Sequence, residues 1–220
     1  YYCLSGQIMG GGSSVNVMSV LRPTKADLDA WVERGNPDWS YENVLPVMKR
    51  IESDQDYPDS NLHGNNGPLY VKRPFLFNMS SSKPVRVFID RALEMGLPLC
   101  PDLNVPDPLG VCESPYNIRD GKRQSTVVAY LNPARNRPNL TIEAKAPVVS
   151  LRIASAKIEG VVYEKGGQLH TVSGDQVVLS AGAYHSPQIL MLSGVGPSAR
   201  LEKLGIRVTH GLEGVGENYQ

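Results

Sequence analysis

Two short stretches carry residues whose types and spacing suit the binding of a cofactor through its phosphates. In the first, Gly10-Gly11-Gly12 removes three consecutive Cβ atoms, so main chain can come close to a bound group, and Ser13-Ser14 adds hydroxyls and a cap for the next turn of chain. A glycine triplet is also an ordinary flexible turn. In the second, Val177-Val178-Leu179 reads as a short buried strand, and the small residues Ser180-Ala181-Gly182-Ala183 allow close approach behind it. Ser186-Pro187 then supplies an N-cap and a proline at the first helical position, which leaves free amide N–H groups where a phosphate would fit. A plain strand-turn-helix connection in an α/β core has the same features.

Other reactive side chains are poorly placed. Gly11-Gly12-Ser13 begins like a hydrolase nucleophile elbow, but Val15 stands at the second required glycine and no His and Asp pair is marked. Of the histidines, His63 lies in a His-Gly-Asn-Asn-Gly loop and is expected to order backbone, His170 and His210 lie in strand-like surface contexts, and His185 sits beside a helix start. None has a carboxylate or second histidine at a spacing that marks a metal site or a base, so no catalytic or metal-ligating residue is assigned. Cys3, Cys100 and Cys112 make an odd count without C-x-x-C, against a disulfide framework or zinc site and in favour of a reducing, cytoplasmic compartment. The sequons at Asn78 and Asn139 arise easily by chance and say little about secretion. Gly214-x-Gly216 lacks the third glycine of a dinucleotide fingerprint.

These residues need a framework to position them. With 220 residues, 41% of them hydrophobic, the chain can bury the core of one large or two small domains. Lys plus Arg equals Asp plus Glu at 22 each, so no bulk field attracts nucleic acid or an anionic membrane, and no apolar run is long enough to span a bilayer. Helical spacing of Leu28, Trp31 and Val32, and of Val44, Leu45, Val47, Met48 and Ile51, predicts helices from Asp27 to Arg34 and from Tyr41 to Glu52, the second capped by Ser40 and tolerating Pro46. A polar loop from Ser53 to Pro68 reads as a lid or a surface excursion. A third helix is expected from Pro84 to Met95, with Val85, Phe88, Ile89 and Leu93 on one face and Gly96 at its end. The proline-rich span from Cys100 to Ser114 should be an irregular wall and not core. Further strands are expected at 140–142, 148–153, 158–163, 169–172 and 177–179, with Gly166-Gly167 as a hairpin turn.

Long stretches of the chain resemble the glucose-methanol-choline family of FAD-dependent oxidoreductases. Ser5 to Asn16 is similar to the family's first signature and Ser180 to Pro197 to its second. Between them, Ala26 to Trp31, Gly35 to Tyr41, His63 to Leu69 and Ala129 to Ala134 continue the likeness, which thins only between about Pro74 and Arg119.

The resemblance implies an α/β (α+β overall) fold, with an FAD-binding domain interrupted by a substrate domain that carries an antiparallel sheet. Residues 1–79 would belong to the FAD-binding domain with its lid-like loop, 80–138 to the substrate domain, and 139–220 to the return into the FAD-binding domain. Cofactor contacts are implied for Gly10, Gly11, Gly12, Ser13, Asn16, Val17, Ser19, Val148, Ala181, Gly182 and Ser186, with Asn16 the most specific and Val148 holding the adenine edge through its backbone. Val15 occupies the position where a few members carry a histidine bonded to the flavin, so FAD is expected to be noncovalent. Ser5-Gly6-Gln7 lacks the basic residue many members place beside that glycine, and one phosphate or loop contact is expected to be lost. The implied reaction is oxidation of a small alcohol to an aldehyde or ketone by hydride transfer to flavin N5, with dioxygen or another acceptor reoxidising the cofactor. A flavin-containing hydroxynitrile lyase and a non-catalytic FAD-binding remnant are the alternatives. The resemblance further implies an internal window, the dinucleotide glycine loop lying before it and the catalytic histidine after it, inactive by itself.

Overall fold

The computed structural model describes residues 5–73 and 83–219, so Cys3 and the Asn78 sequon fall outside it. The chain forms two compact units, Tyr1–Leu140 and Thr141–Gln220, each described by itself. Helices and small sheets are mixed in both, and no helix among the described residues is long and apolar enough to cross a membrane.

In the first unit, α1 (Lys25–Glu33) starts at a capping box. Asp27 N–H donates to the Thr24 hydroxyl at 3.2 Å while the Asp27 carboxylate accepts from Thr24 N–H at 2.9 Å. Ser40 caps α2 (Tyr41–Ile51) by accepting from Asn43 N–H, and Pro46 is accommodated inside the helix. Leu28, Tyr41 and Met48 pack together with Val44 and Leu45, which is part of the apolar face the spacing predicts, whereas Trp31, Val47 and Ile51 of that face are exposed. The chain leaves α2 straight into β1 (Glu52–Asp54), which pairs in parallel with β2 (Leu69–Val71).

The next helix, α3 (Lys83–Glu94), ends at Gly96 in the left-handed region (φ 88°). Its expected face is corrected: Ile89 and Ala92 are buried with Val111, whereas Val85, Phe88 and Leu93 are exposed, because among the described residues it is the 89/92 ridge that meets the rest of the unit. The span after it is irregular, as its prolines require, yet it is not merely a wall, since Cys100, Asp102, Asn104 and Val111 are buried. Cys100 N–H donates to Val111 O and Val111 N–H to Pro98 O, both at 2.9 Å, which satisfies backbone without a regular sheet. A two-residue turn through Asp120 and Gly121, both at positive φ, joins β3 (Ile118–Arg119) to β4 (Lys122–Arg123). A π-helical turn, Val127–Leu131, then runs into α4 (Asn132–Ala134).

The second unit holds an antiparallel meander of β5 (Val148–Ala154), β6 (Lys157–Lys165) and β7 (Gln168–Ser173), turning at Gly166-Gly167 as expected. Residues 140–142 form no strand. Neither do Val177-Val178-Leu179: among the described residues no strand pairs with them, and Val178 is 87% exposed. An apolar run becomes a buried strand only where a neighbour supplies the ladder.

The following helix, α5 (Gly182–Leu192), begins five residues before the predicted start at Pro187. Ser186 does not cap it; its hydroxyl accepts from Ala181 N–H at 3.0 Å, and Pro187 lies inside the helix. Ser193 fastens α5 to β5, accepting from Leu151 N–H at 2.7 Å and donating to Ile189 O at 2.6 Å. Beyond it, β8 (Val195–Gly196) and β9 (His210–Gly211) pair in parallel across α6 (Ser198–Lys203), whose Leu201 is fully buried.

Candidate functional site

The glycine loop is a tight turn clamped from the hairpin. Gly10 (φ 86°) and Gly11 (φ 50°) lead a short 3-10 turn, Gly11–Ser14, that L side chains would strain. A Cβ on Gly10 would stand 2.4 Å from Ser14 Oγ and 2.9 Å from Val127 Cγ2, so packing also forbids one there. Gly12 differs. Its φ is ordinary and a Cβ would meet nothing within 4 Å, so nothing among the described residues demands a glycine at that position. The main chain at Gly12 is therefore open to a group approaching from outside, an opening compatible with FAD.

Hydrogen bonds hold this turn to residues over a hundred positions away. Ser13 Oγ donates to Gly10 O at 2.6 Å and accepts from Thr126 N–H at 3.0 Å, so its hydroxyl is spent inside the protein. Arg123 Nη1 donates to Ser13 O at 3.1 Å and to Asn16 Oδ1 at 2.6 Å, and the same oxygen accepts from Met18 N–H at 3.1 Å. Ser19 pairs with Tyr116, and its hydroxyl accepts from Ser114 Oγ at 3.2 Å. Val15 and Val17 are exposed, which presents apolar surface beside the open backbone of Gly12.

Gly10, Gly11, Gly12, Ser13, Asn16, Val17 and Ser19 are thus brought together in the first unit. The second unit carries the rest. Ala181 precedes α5, Gly182 sits at positive φ with open space around it, and Ser186 binds back to Ala181. Val148 opens β5, the strand against which α5 packs.

A second feature of the first unit had no signal in residue spacing. Between β1, β2 and the irregular span lies a buried ionic cluster of Arg22, Glu52, Asp54, His63, Arg73 and Asp102. His63 Nδ1 lies 2.9 Å from Glu52 Oε1 and 3.2 Å from Asp54 Oδ2, and Nε2 lies 2.8 Å from Asp102 Oδ2. A neutral imidazole has one N–H and would set a lone pair against a carboxylate, so the ring is doubly protonated. Burial opposes this charge, but the hydrogen bonds to Asp102 and Glu52 prevail and hold the pKa at about 9. Burial likewise opposes the Asp102 charge, and its bonds to His63 and Asn104 still pull that carboxyl down to about 2.

Arg73 donates to Asp54 at 2.9 Å and to Asp102 at 2.5 Å, while Arg22 donates to Glu52. Glu52, Asp54 and His63 are close enough together to hold a metal ion, but their facing atoms are already bonded to one another and to these two guanidinium groups. The cluster is a salt-bridge core. No spacing in the sequence marked a carboxylate beside His63, yet three surround it, brought in by the fold.

A family model described as GMC oxidoreductase matches residues 1–220. The chain belongs to the GMC oxidoreductase family. It is 35% identical over 217 residues to an oxygen-dependent choline dehydrogenase of Staphylococcus aureus, a match covering 98% of this chain and 37% of the relative. Among solved structures, pyridoxine 4-oxidase from Mesorbium loti superposes with a TM-score of 0.87 at 32% identity, over 95% of this chain and 41% of that one. An FAD-dependent oxidoreductase from Chaetomium thermophilum gives 0.86 at 29%, over 96% and 38%. The GMC chain therefore spans well under half the length of the relatives it matches. Membership places the chain in an oxidoreductase family whose solved members include an FAD-dependent oxidoreductase, and gives the clamped glycine turn its context.

Proposed function

We propose that the protein oxidises a small alcohol to an aldehyde or ketone with noncovalent FAD, and that Gly10, Gly11, Gly12, Ser13, Asn16, Val17, Ser19, Val148, Ala181, Gly182 and Ser186 are the residues that contact the cofactor. The single observation that carries this reading is Gly12, an open main-chain position beside a turn fixed by Arg123 and Thr126. Bound FAD would supply the acceptor for the hydride leaving the alcohol carbon. The residues of this chain do the holding: Gly11 and Gly12 admit the cofactor to the backbone, and the Asn16 amide offers a donor near charge that develops on reduction. Residues 1–79 and 139–220 would serve the FAD-binding domain and residues 80–138 the substrate domain, with the base that takes the hydroxyl proton outside this chain. Val15, at a position without a nucleophilic nitrogen or sulfur, supports a dissociable cofactor.

Acid precipitation of the intact protein should release all yellow chromophore into the supernatant, and pellet-bound flavin would contradict noncovalent binding. An alcohol panel including choline and pyridoxine should bleach the flavin absorption under anaerobic conditions. FAD that stays oxidised with every alcohol would overturn the oxidation and leave a non-redox FAD protein.

A further inference from the structure

Asn16 is exposed, yet its carboxamide is not free to turn. Its Oδ1 accepts two hydrogen bonds, from Met18 N–H at 3.1 Å and Arg123 Nη1 at 2.6 Å. Both partners are pure donors, so reversing the amide would set its NH2 against two N–H groups and lose both bonds. With the oxygen fixed, Nδ2 lies on the opposite edge of the carboxamide and makes no hydrogen bond among the described residues. The guanidinium also draws electron density toward Oδ1, which makes the Nδ2 hydrogens better donors. The same Nη1 donates to Ser13 O at 3.1 Å, so one cation ties the glycine turn and the amide into a single rigid piece.

We propose that Arg123 is a positioning residue for the flavin, aiming and polarising the Asn16 Nδ2 donor toward bound cofactor. The inference rests on the reading that Asn16 faces FAD. A donor whose partner gains negative charge on reduction favours reduced over oxidised cofactor. Removing Arg123 therefore weakens binding of reduced FAD more than of oxidised FAD, whereas a merely structural loss would weaken both alike.

The test uses the intact protein with Arg123→Met, Arg123→Lys, Asn16→Ala and the Asn16→Ala/Arg123→Met pair. FAD affinity is read by fluorescence titration, the flavin midpoint potential by equilibration with a reference dye, and apoprotein stability by thermal melting. Arg123→Met is expected to lower the affinity for reduced FAD about tenfold more than that for oxidised FAD, which for a two-electron couple lowers the potential by about 30 mV. Asn16→Ala should produce a similar shift, and the double variant no more than Asn16→Ala alone. Arg123→Lys, which keeps the charge but carries its donors on a side chain one atom shorter and so reaches the two acceptors less well, should fall between. It alone carries the test if Arg123→Met does not fold, and an unchanged potential in it then overturns the proposal. A melting temperature lowered without a potential shift, or shifts that add in the double variant, also overturn it. If Asn16→Ala changes neither affinity nor potential, the placement of Asn16 at the flavin fails, and the role of Arg123 fails with it.

Discussion

Raising the pH should unlock the buried ionic cluster through His63 alone. In the folded protein this imidazole titrates at about 9 against an ordinary value of 6.5, because hydrogen bonds to Asp102 and Glu52 outweigh burial. The folded-state value is the higher one, so the stabilisation is complete below about pH 6.5 and disappears as pH rises through about 9. The interval corresponds to about 3 kcal/mol. The groups that face the ring do not blur that window. Arg73, with a pKa raised by Asp54 and Asp102 despite burial, stays charged, and Tyr57, stacked at 5.7 Å, has its hydroxyl pushed up by burial. Burial and the neighbouring Cys100 push the Cys112 thiol to about 11.

The assay is urea unfolding of the intact protein and of His63→Gln, followed by far-UV circular dichroism from pH 6 to 10. The substitution should cost about 3 kcal/mol at pH 6.5, since it leaves buried carboxylates short of one positive charge. That deficit should shrink toward zero by pH 10, as native His63 loses its proton. Two parallel stability profiles would refute the doubly protonated ring. The depression of Asp102 to about 2 reports the same His63 contact from the other side, so its contribution, present above about pH 4 and lost as pH falls through about 2, is not added to this figure.

Gly64→Ala should destabilise by about 3 kcal/mol or more, seen as a lower melting temperature or as insoluble protein, because its Cβ would lie 1.8 Å from Lys49 O and 2.8 Å from Glu52 O. Ser193→Ala should cost about 1–2 kcal/mol in urea unfolding, because Leu151 N–H loses its acceptor between α5 and β5.

Much of the local structure was legible from the residues. Leu28, Val44, Leu45 and Met48 recur at helical spacing and do form the face that packs α1 and α2, and Ser40 caps where expected. Gly166-Gly167 marked the β6–β7 turn because two successive positive φ angles are open to glycine at little cost. The failures have specific causes. Val177 to Leu179 is apolar enough for a core strand, but pairing is supplied by neighbours and not by the strand's own sequence. Ser186-Pro187 matched a helix start, yet a proline is tolerated further along the helix, and the serine hydroxyl found an earlier amide at Ala181.

The residues missed at the site share a different cause. His63 meets Asp102 across 39 positions and Arg123 meets Asn16 across 107, and no periodicity encodes either distance. Motif reading finds groups that act together because they are close in sequence, such as Gly10 to Asn16. It passes over groups whose contribution is to fix the first set from far away. Arg123 is an ordinary basic residue of a two-residue hairpin until Asp120 and Gly121 turn the chain and bring its guanidinium onto Ser13 and Asn16. His63 is one histidine in a glycine loop until β1 delivers Glu52 and Asp54 to it and the proline-rich span delivers Asp102. The glycines around it then acquire a physical reason: Gly64 and Gly67 let the loop lie directly on the backbone of Lys49, Ile51 and Glu52, which is what places the imidazole between its carboxylates.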